Sequence, residues 1–291
     1  MSMARGHGRA GSIRSPLDLW AWLAVPGLLF LVVFFLVPLA RMGARSFTDP
    51  SPENYRVFLD SPVYVRVLWT TLRTSLIVTA VCLLIGYPYA YVMHHAGPKT
   101  RAALTVLVLV PFWSSLLVRT YAWTVLLQDS GIINSVLRDL GLIREPIQLM
   151  RNTLGVTIGM SHILLPFMVL PIWATMRRID PDLVPAAESL GASPRAAFRK
   201  VFLPLSIPGV FAGCLLVFVL ALGFYITPAL LGSPQNAMFS ELIVNMVSER
   251  LRFGVGSALA MTLLAVTLLL LGIGSRFVRL GEAIGYGETG S

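Results

Sequence analysis

The chain has 291 residues and a formal net charge of +9, with 56% hydrophobic but only 13% charged residues and a mean hydropathy of +0.75. Soluble domains carry about 25% charged residues, so this composition excludes an ordinary soluble globular protein and calls for a membrane solvent. The basic residues are scattered among short segments instead of forming a stripe or tail, which excludes a nucleic-acid partner and suits anionic lipid headgroups.

In chain order, residues 1–15 are rich in glycine and arginine and are expected to form a disordered tail. A helix needs about 20 apolar residues to cross the hydrocarbon. Residues 19–40 contain no Asp, Glu, Lys or Arg and make the first span. Arg5, Arg9 and Arg14 ahead of it resemble the start of a signal peptide, but the run is long and lacks a small-residue cleavage site, so an uncleaved helix is expected. Residues 74–93 make the second span; residues 102–118, continuing past Arg119 to 128, make the third, and residues 152–176 the fourth. From 201 to 240 there is no charged residue, roughly twice one crossing at about 1.5 Å per residue. Pro204 and Pro208 disfavour a regular helix at its start, and Pro228, Gly232 and Pro234 punctuate its end. The fifth span is therefore placed at 208–227, followed by an outer loop or short re-entrant piece to 240, and residues 253–275 make the sixth. Cys82 and Cys214 lie inside apolar runs and read as small core residues.

The expected architecture is all-α: six transmembrane helices within residues 16–280, a loop at 177–207 between helices four and five, and a second tail at 281–291. Both termini then share one side. With that side cytoplasmic, the inner segments carry twelve Lys and Arg against ten outside, too small a bias to fix orientation.

Several chemical signals fail on their context. The glycine patterns at 6–11 and 285–290 match a dinucleotide fingerprint in letters only, since neither follows a strand nor opens a helix. Pro98 stands before Lys99 where a phosphate loop needs glycine, so no nucleotide site is expected. His94, His95 and His162 have no ligand-spaced carboxylate or cysteine for a metal centre. Ser161 and His162, adjacent in sequence, point apart on a helix, and no enzyme activity is expected.

The most informative stretch runs from Met176 to Pro208. It reads as two short helices at a sharp corner. Gly191 suits a left-handed C-cap, Ser193 caps the next helix, and Pro194 fits its first turn. Ala186 and Ala187 leave a surface that a partner's groove can approach, while Arg195, Arg199 and Lys200 lie beyond the corner. From these residues alone, a basic amphipathic helix lying on the lipid surface is the other reading.

This stretch resembles the E-A-A-x-x-x-G motif, with its trailing L-P, of binding-protein-dependent ABC importer permeases. Ala186, Ala187, Gly191, Leu203 and Pro204 match, while Pro185 stands where the family has glutamate; Glu188 is the nearby acid, on a different face. Gly86-Tyr-Pro-Tyr-Ala90, Pro111-Phe-Trp113, Val118-Arg-Thr-Tyr-Ala-Trp123, Leu165-Pro-Phe167 and Thr227-Pro-Ala-Leu-Leu-Gly232 resemble the spermidine/putrescine branch. The resemblance implies a type I ABC importer permease fold in the bacterial inner membrane, with 177–207 as a cytoplasmic coupling loop and both termini cytoplasmic. It also implies a second permease subunit, two ATPase subunits that carry the ATP, an extracytoplasmic substrate-binding protein, and no cofactor in this chain. Contact with the ATPase falls on Ala186, Ala187, Glu188, Gly191, Ala192, Pro194, Leu203 and Pro204.

Candidate pathway residues emerge from depth. Counting from residue 102, a straight helix carries Arg119 roughly 26 Å across, near the outer boundary. Tyr121 and Trp123 beside it belong either to an interfacial aromatic belt or to an outer vestibule. Phe224 and Tyr225 fall in the outer half of the fifth span, where they either form a gate beside Pro228 or simply pack. Aromatic faces suit a polyamine through cation–π attraction, but no proposed span contains Asp or Glu, and Asp129 and Glu241 at span ends are the nearest acids. The alternatives are an importer permease for another small solute, an ion-coupled secondary transporter, and a membrane scaffold. A secondary transporter commonly carries repeats and intramembrane carboxylates, which are not evident in this sequence, and the coupling loop argues against a scaffold.

Overall fold

The computed structural model describes residues 17–49 and 53–285, and every regular element within them is helical. The expected tail 1–15 lies outside the described residues, as do residues 286–291 of the second. Helix α1 (Leu17–Leu31) continues through a π turn (Val32–Leu36) into α2 (Val37–Thr48), and α3 (Asn54–Asp60) leads into the long α4 (Pro62–His95). Next come α5 (Pro98–Leu109), a 3₁₀ turn (Val110–Trp113), α6 (Leu116–Leu127), α7 (Ile132–Asp139) and α8 (Thr153–Met176). Then come α9 (Leu183–Ser189), α10 (Pro194–Ala197), a second π turn (Phe198–Phe202) and α11 (Leu203–Leu222). The chain closes with α12 (Ile226–Leu231), α13 (Phe239–Val244) and α14 (Phe253–Gly285), so residues 281–285 of the expected second tail are helical.

Among the described residues five helices are long and apolar enough to cross a membrane: Trp22–Thr48, Pro62–His95, Thr153–Met176, Pro194–Leu222 and Phe253–Arg276. The expected third span is a sixth only if two segments, Pro98–Trp113 and Leu116–Asp139, are counted together, because they are bent by 100°. The cause is local: Pro111 has no N–H to continue the ladder, and Ser114 and Ser115 adopt extended backbone. The depth reckoned for Arg119 assumed a straight helix and does not survive this bend.

The expected fifth span also shifts. Helix α11 starts at Leu203, not 208, and ends at Leu222, so Phe224 and Tyr225 fall in a break before α12. Pro204 follows directly on the π turn inside the continuous helix Pro194–Leu222, where the ladder is already irregular and tolerates its missing N–H. Pro208 is accommodated inside the helix, as Pro166 and Pro171 are in α8. Proline is a weaker stop signal here than in water.

Helix α8 is the axis of the molecule: 61% of its most apolar window is buried, against 33% for α4 and none for the first span. It packs on α4 and α11, which also pack on one another, while α14 lies against α2 and α11. Met160, Leu164, Met168, Ile172 and Met176 of α8 are fully buried in this core. Between apolar helices in lipid there is no hydrophobic drive, so association rests on close van der Waals packing at small residues. At Gly213 of α11 a Cβ would meet Sδ of Met168 at 2.9 Å and its carbonyl oxygen at 3.0 Å. At Gly209 it would meet the Thr175 side chain at 2.6 Å. Arg101 of α5 closes the inner end of α4, its Nε donating to the Met93 carbonyl (3.1 Å) and Nη2 to that of Ala96 (2.8 Å). Those carbonyls are among the orphans of a helix C-terminus, where a cation is favoured.

The α8–α11 contact can be checked directly. Gly213→Ala should destabilise the detergent-solubilised protein by about 1–3 kcal/mol, the usual cost of overpacking against backbone. It is measured as a lower midpoint in a thermal unfolding series. Gly272→Ala, where a Cβ meets nothing within 4 Å, should leave the midpoint unchanged.

Candidate coupling surface and outer break

The corner between α9 and α10 has the geometry its residues suggest. Gly191 sits at φ +91°, its N–H donates to the Glu188 carbonyl (2.9 Å), and the Ala192 N–H donates to that of Ala187 (3.1 Å). This paired pattern closes the last turn of α9 in a Schellman motif, which needs a left-handed residue at its centre. Ser193 Oγ accepts from the Ala196 N–H, and Pro194 opens the next turn. Of the residues assigned to partner contact, Ala186, Glu188, Gly191, Pro194 and Pro204 are exposed, while Ala187, Ala192 and Leu203 are half-buried. Pro185 is exposed as well, so the position where the motif has glutamate faces outward without a charge. Leu190, at the tip, is 90% exposed, an arrangement that suits insertion into a partner.

Behind this corner lies a recess of about 520 Å³ between the inner end of α4 and the loop, lined by Tyr91, His95, Asp180, Glu188, Phe198 and Phe202 among others. Its floor is an aromatic cluster. The Tyr91 ring meets Phe202 edge-on at 5.3 Å and Phe198 at 5.5 Å, and His94 stands 5.3 Å from Phe202. The rings of Phe198 and Phe202, four residues apart, are brought to one face by the π turn and stack at 5.8 Å. Sequence reasoning missed this cluster. The signal available was Phe198 and Phe202 at i,i+4, together with the paired histidines at the end of α4.

At the other end of α11 the helix stops at Leu222, and Gly223, Phe224 and Tyr225 form the break before α12. The Phe224 carbonyl, released from the helical ladder, accepts a hydrogen bond from Ser240 Oγ. Phe224 is half-buried and Tyr225 is 37% exposed. Helix α12 is held in place by Thr227, fully buried, whose hydroxyl lies 3.1 Å from that of Thr120 on α6.

The remaining candidates do not form one site. Trp123 Nε1 donates to Nδ1 of His162 on α8 (3.2 Å), whereas Tyr121 projects from the exposed side of α6. Arg119 is half-buried, and its Nε is buried without a hydrogen-bond partner. Asp129 is exposed in a recess of about 350 Å³ with Thr124, Gln128, Gln148, Met150 and Arg151. Glu241 belongs to α13, which packs on α4 and α14, and burial pushes its carboxyl up from the ordinary range. Among the described residues no group of three or more His, Cys, Asp or Glu side chains is arranged to hold a metal ion.

Comparison with known proteins agrees with this arrangement. Residues 86–279 match the family described as the binding-protein-dependent transport system inner membrane component. The spermidine/putrescine transport system permease protein PotB of Haemophilus influenzae is 38% identical over 258 residues, covering 86% of this chain and 89% of that protein. PotB of Escherichia coli K12 is 37% identical over 220 residues, covering 75% and 80%. In three dimensions the chain is similar to one in the crystal structure of a bacterial alginate ABC transporter in complex with alginate pentasaccharide-bound periplasmic protein. That match has a TM-score of 0.72 at 19% identity and covers 92% of this chain and 96% of the other. With a family match over most of its length and relatives above a third identical, the chain belongs to the binding-protein-dependent transport system inner membrane components, the permeases of ABC importers.

Proposed function

We propose that this permease forms the substrate pathway of an ATP-driven importer for polyamines, spermidine and putrescine. The observation that carries the reading is the 38% identity to PotB over 86% of the chain, which extends through both the coupling corner and the outer break. In this reading the permease pairs with a second permease subunit. Two separate ATPase subunits bind and hydrolyse ATP, and an extracytoplasmic binding protein delivers the cargo. The coupling loop and both termini are assigned to the cytoplasm.

The geometry supports a mechanical role for this chain. The exposed Leu190 tip, Ala186 and the Gly191 corner meet the ATPase, and ATP-driven closure displaces them. The aromatic cluster of Tyr91, Phe198 and Phe202 passes the displacement to α4, and the unbroken helix Pro194–Leu222 passes it along α11 to the outer break. There Phe224 and Tyr225 act as the gate, freed from the helical ladder so that they move when α11 moves against α12. Cargo cations meet aromatic faces at this level.

Three experiments test the reading. The reconstituted importer, with its two permeases, ATPases and binding protein in proteoliposomes, should accumulate labelled spermidine or putrescine only with internal ATP and the binding protein. Polyamine uptake indistinguishable from empty liposomes, with an unrelated solute accumulated instead, would reject the cargo. Gly191→Val should abolish uptake or shed the ATPase, because a β-branched residue at φ +91° is strained by about 1–2 kcal/mol or more. A Cβ there meets nothing within 4 Å, so Gly191→Asn, which tolerates the left-handed region, should keep most of the activity. Equal uptake by both variants and the parent would remove the corner from the mechanism. Replacing Phe224 and Tyr225 together by Ala should raise basal ATPase activity or alter uptake without loss of assembly, whereas parental values for both would leave these rings as packing.

A further inference from the structure

Helix α6 has two sides. At about 100° per residue, Thr120, Trp123 and Leu127 share the side packed on α8 and α12, and Thr120 and Leu127 are fully buried. Leu117, Val118, Tyr121 and Val125 form the opposite side and are 49–62% exposed. Arg119 falls on the seam between the two, about 60° around the helix from the exposed Ala122, so a further helix laid along the Val118–Ala122 edge would have it at its flank. The position is analogous to the flanking sites of a coiled coil, where opposite charges set partner choice.

Among the described residues no carboxylate pairs with the guanidinium there. Its Nε is buried without a hydrogen-bond partner, and the ion pair found among the described residues is elsewhere, between Arg56 and Glu53. Neither α6 nor α8 or α12, on which it packs, contains Asp or Glu; α7, which also packs on α6, ends in Asp139, an exposed residue that makes no ion pair with Arg119. The nearest carboxylate along the chain, Asp129, lies about 15 Å further at helical rise and is exposed in a different recess. Charged groups within apolar spans are expensive and pair with one another inside the bundle. A cationic cargo cannot supply the missing charge, a step that rests on the polyamine reading.

We infer that Arg119 is paired, in the assembled importer, with a carboxylate on a membrane helix of the second permease subunit, which packs on the exposed Val118–Ala122–Val125 side of α6. The pair gives the interface an orientation and makes this chain selective for a partner with an acid at that level.

The test uses the full importer, purified through an affinity tag on this chain. Arg119→Gln and Arg119→Glu should each lower the second permease recovered with it at least tenfold at unchanged abundance of this chain in the membrane. Arg119→Lys should retain most of it. In the Arg119→Glu background, converting each intramembrane Asp or Glu of the second permease to Arg, one at a time, should restore recovery and uptake at a single position. Parental recovery with Arg119→Gln, or the absence of any restoring position, overturns the inference. Full recovery and uptake with Arg119→Lys, together with failure of every swap, would identify a lipid headgroup as the partner and overturn it as well. Intact recovery with a raised KM for cargo in Arg119→Gln would make the cargo the counter-ion and overturn both this pairing and the polyamine reading. A restoring swap in an importer that does not carry polyamines would uphold the pairing and remove the cargo alone.

Discussion

The close approach of α11 to α8 is the constraint on which the rest of the molecule depends. In a lipid solvent two apolar helices gain nothing by hiding from their surroundings, so their contact has to come from shape. Gly209 and Gly213 supply it by letting the Thr175 and Met168 backbone and side chains sit where a Cβ would otherwise be. Met168 is a suitable filler for such an interface because its unbranched thioether adapts to an irregular gap. With α4 closing the third side, the three helices make a frame with the α9–α10 corner at one end and the break before α12 at the other.

Departures from regular helix in this frame come with replacements for the backbone groups they free, as an apolar solvent demands. Arg101 takes the carbonyls at the inner end of α4, and Asn152 Oδ1 accepts the Gly155 N–H at the start of α8. The buried Asn134 pairs with both the N–H (2.9 Å) and the carbonyl (3.0 Å) of Ile147, which folds the segment between α7 and α8 back on itself. Ser240 satisfies the Phe224 carbonyl at the outer break. These bonds cost nothing if the break is permanent and act as latches if it moves. At the break the Phe224 carbonyl is taken by one side-chain hydroxyl while its N–H donates to the Ala221 carbonyl, and at Ile147 both backbone groups are taken by the one side chain of Asn134.

Much of this is legible in the sequence, and the remainder is hidden for definable reasons. Uncharged length locates the crossing helices because solvation of charge in hydrocarbon dominates every local preference. The corner at Gly191 is legible because three signals close together, a glycine, a capping serine and a first-turn proline, agree on one geometry. Proline misleads twice in opposite directions. At 204 and 208 it reads as a stop and is carried within a helix, while at 111 it gives no warning and lies in a right-angle bend. The difference lies in the neighbouring residues. Pro111 stands shortly before Ser114 and Ser115, both in extended conformation, whereas Pro208 sits in an apolar run that is held helical by packing on α8 despite its glycines and β-branched residues. The aromatic cluster beneath the coupling loop joins residues more than a hundred positions apart, from Tyr91 to Phe202, and no periodicity within one segment exposes such a pair.

The placement of the break explains how a movement made at one face of the membrane would be read at the other. Helix α10, the second π turn and α11 form a single rod of 29 residues, about 44 Å long. It is gripped near its inner end by Tyr91 and His94 through Phe202 and along its length by α8 through Gly209 and Gly213. A displacement of its inner end therefore tilts or slides the whole rod, since packed helices are bistable and do not deform continuously. Its far end stops at Leu222, while α12, only a few residues on, is tied to α6 through the Thr120 and Thr227 hydroxyls and also packs on α8. Relative motion between the rod and α12 would fall on Gly223, Phe224 and Tyr225, where the ladder is reduced to the Phe224 N–H donating to the Ala221 carbonyl and the Tyr225 carbonyl accepting from the Ala229 N–H. A gate placed anywhere earlier in α11 would move with the rod and open nothing; under the proposed function it belongs in the break, where the rod ends and α12 begins.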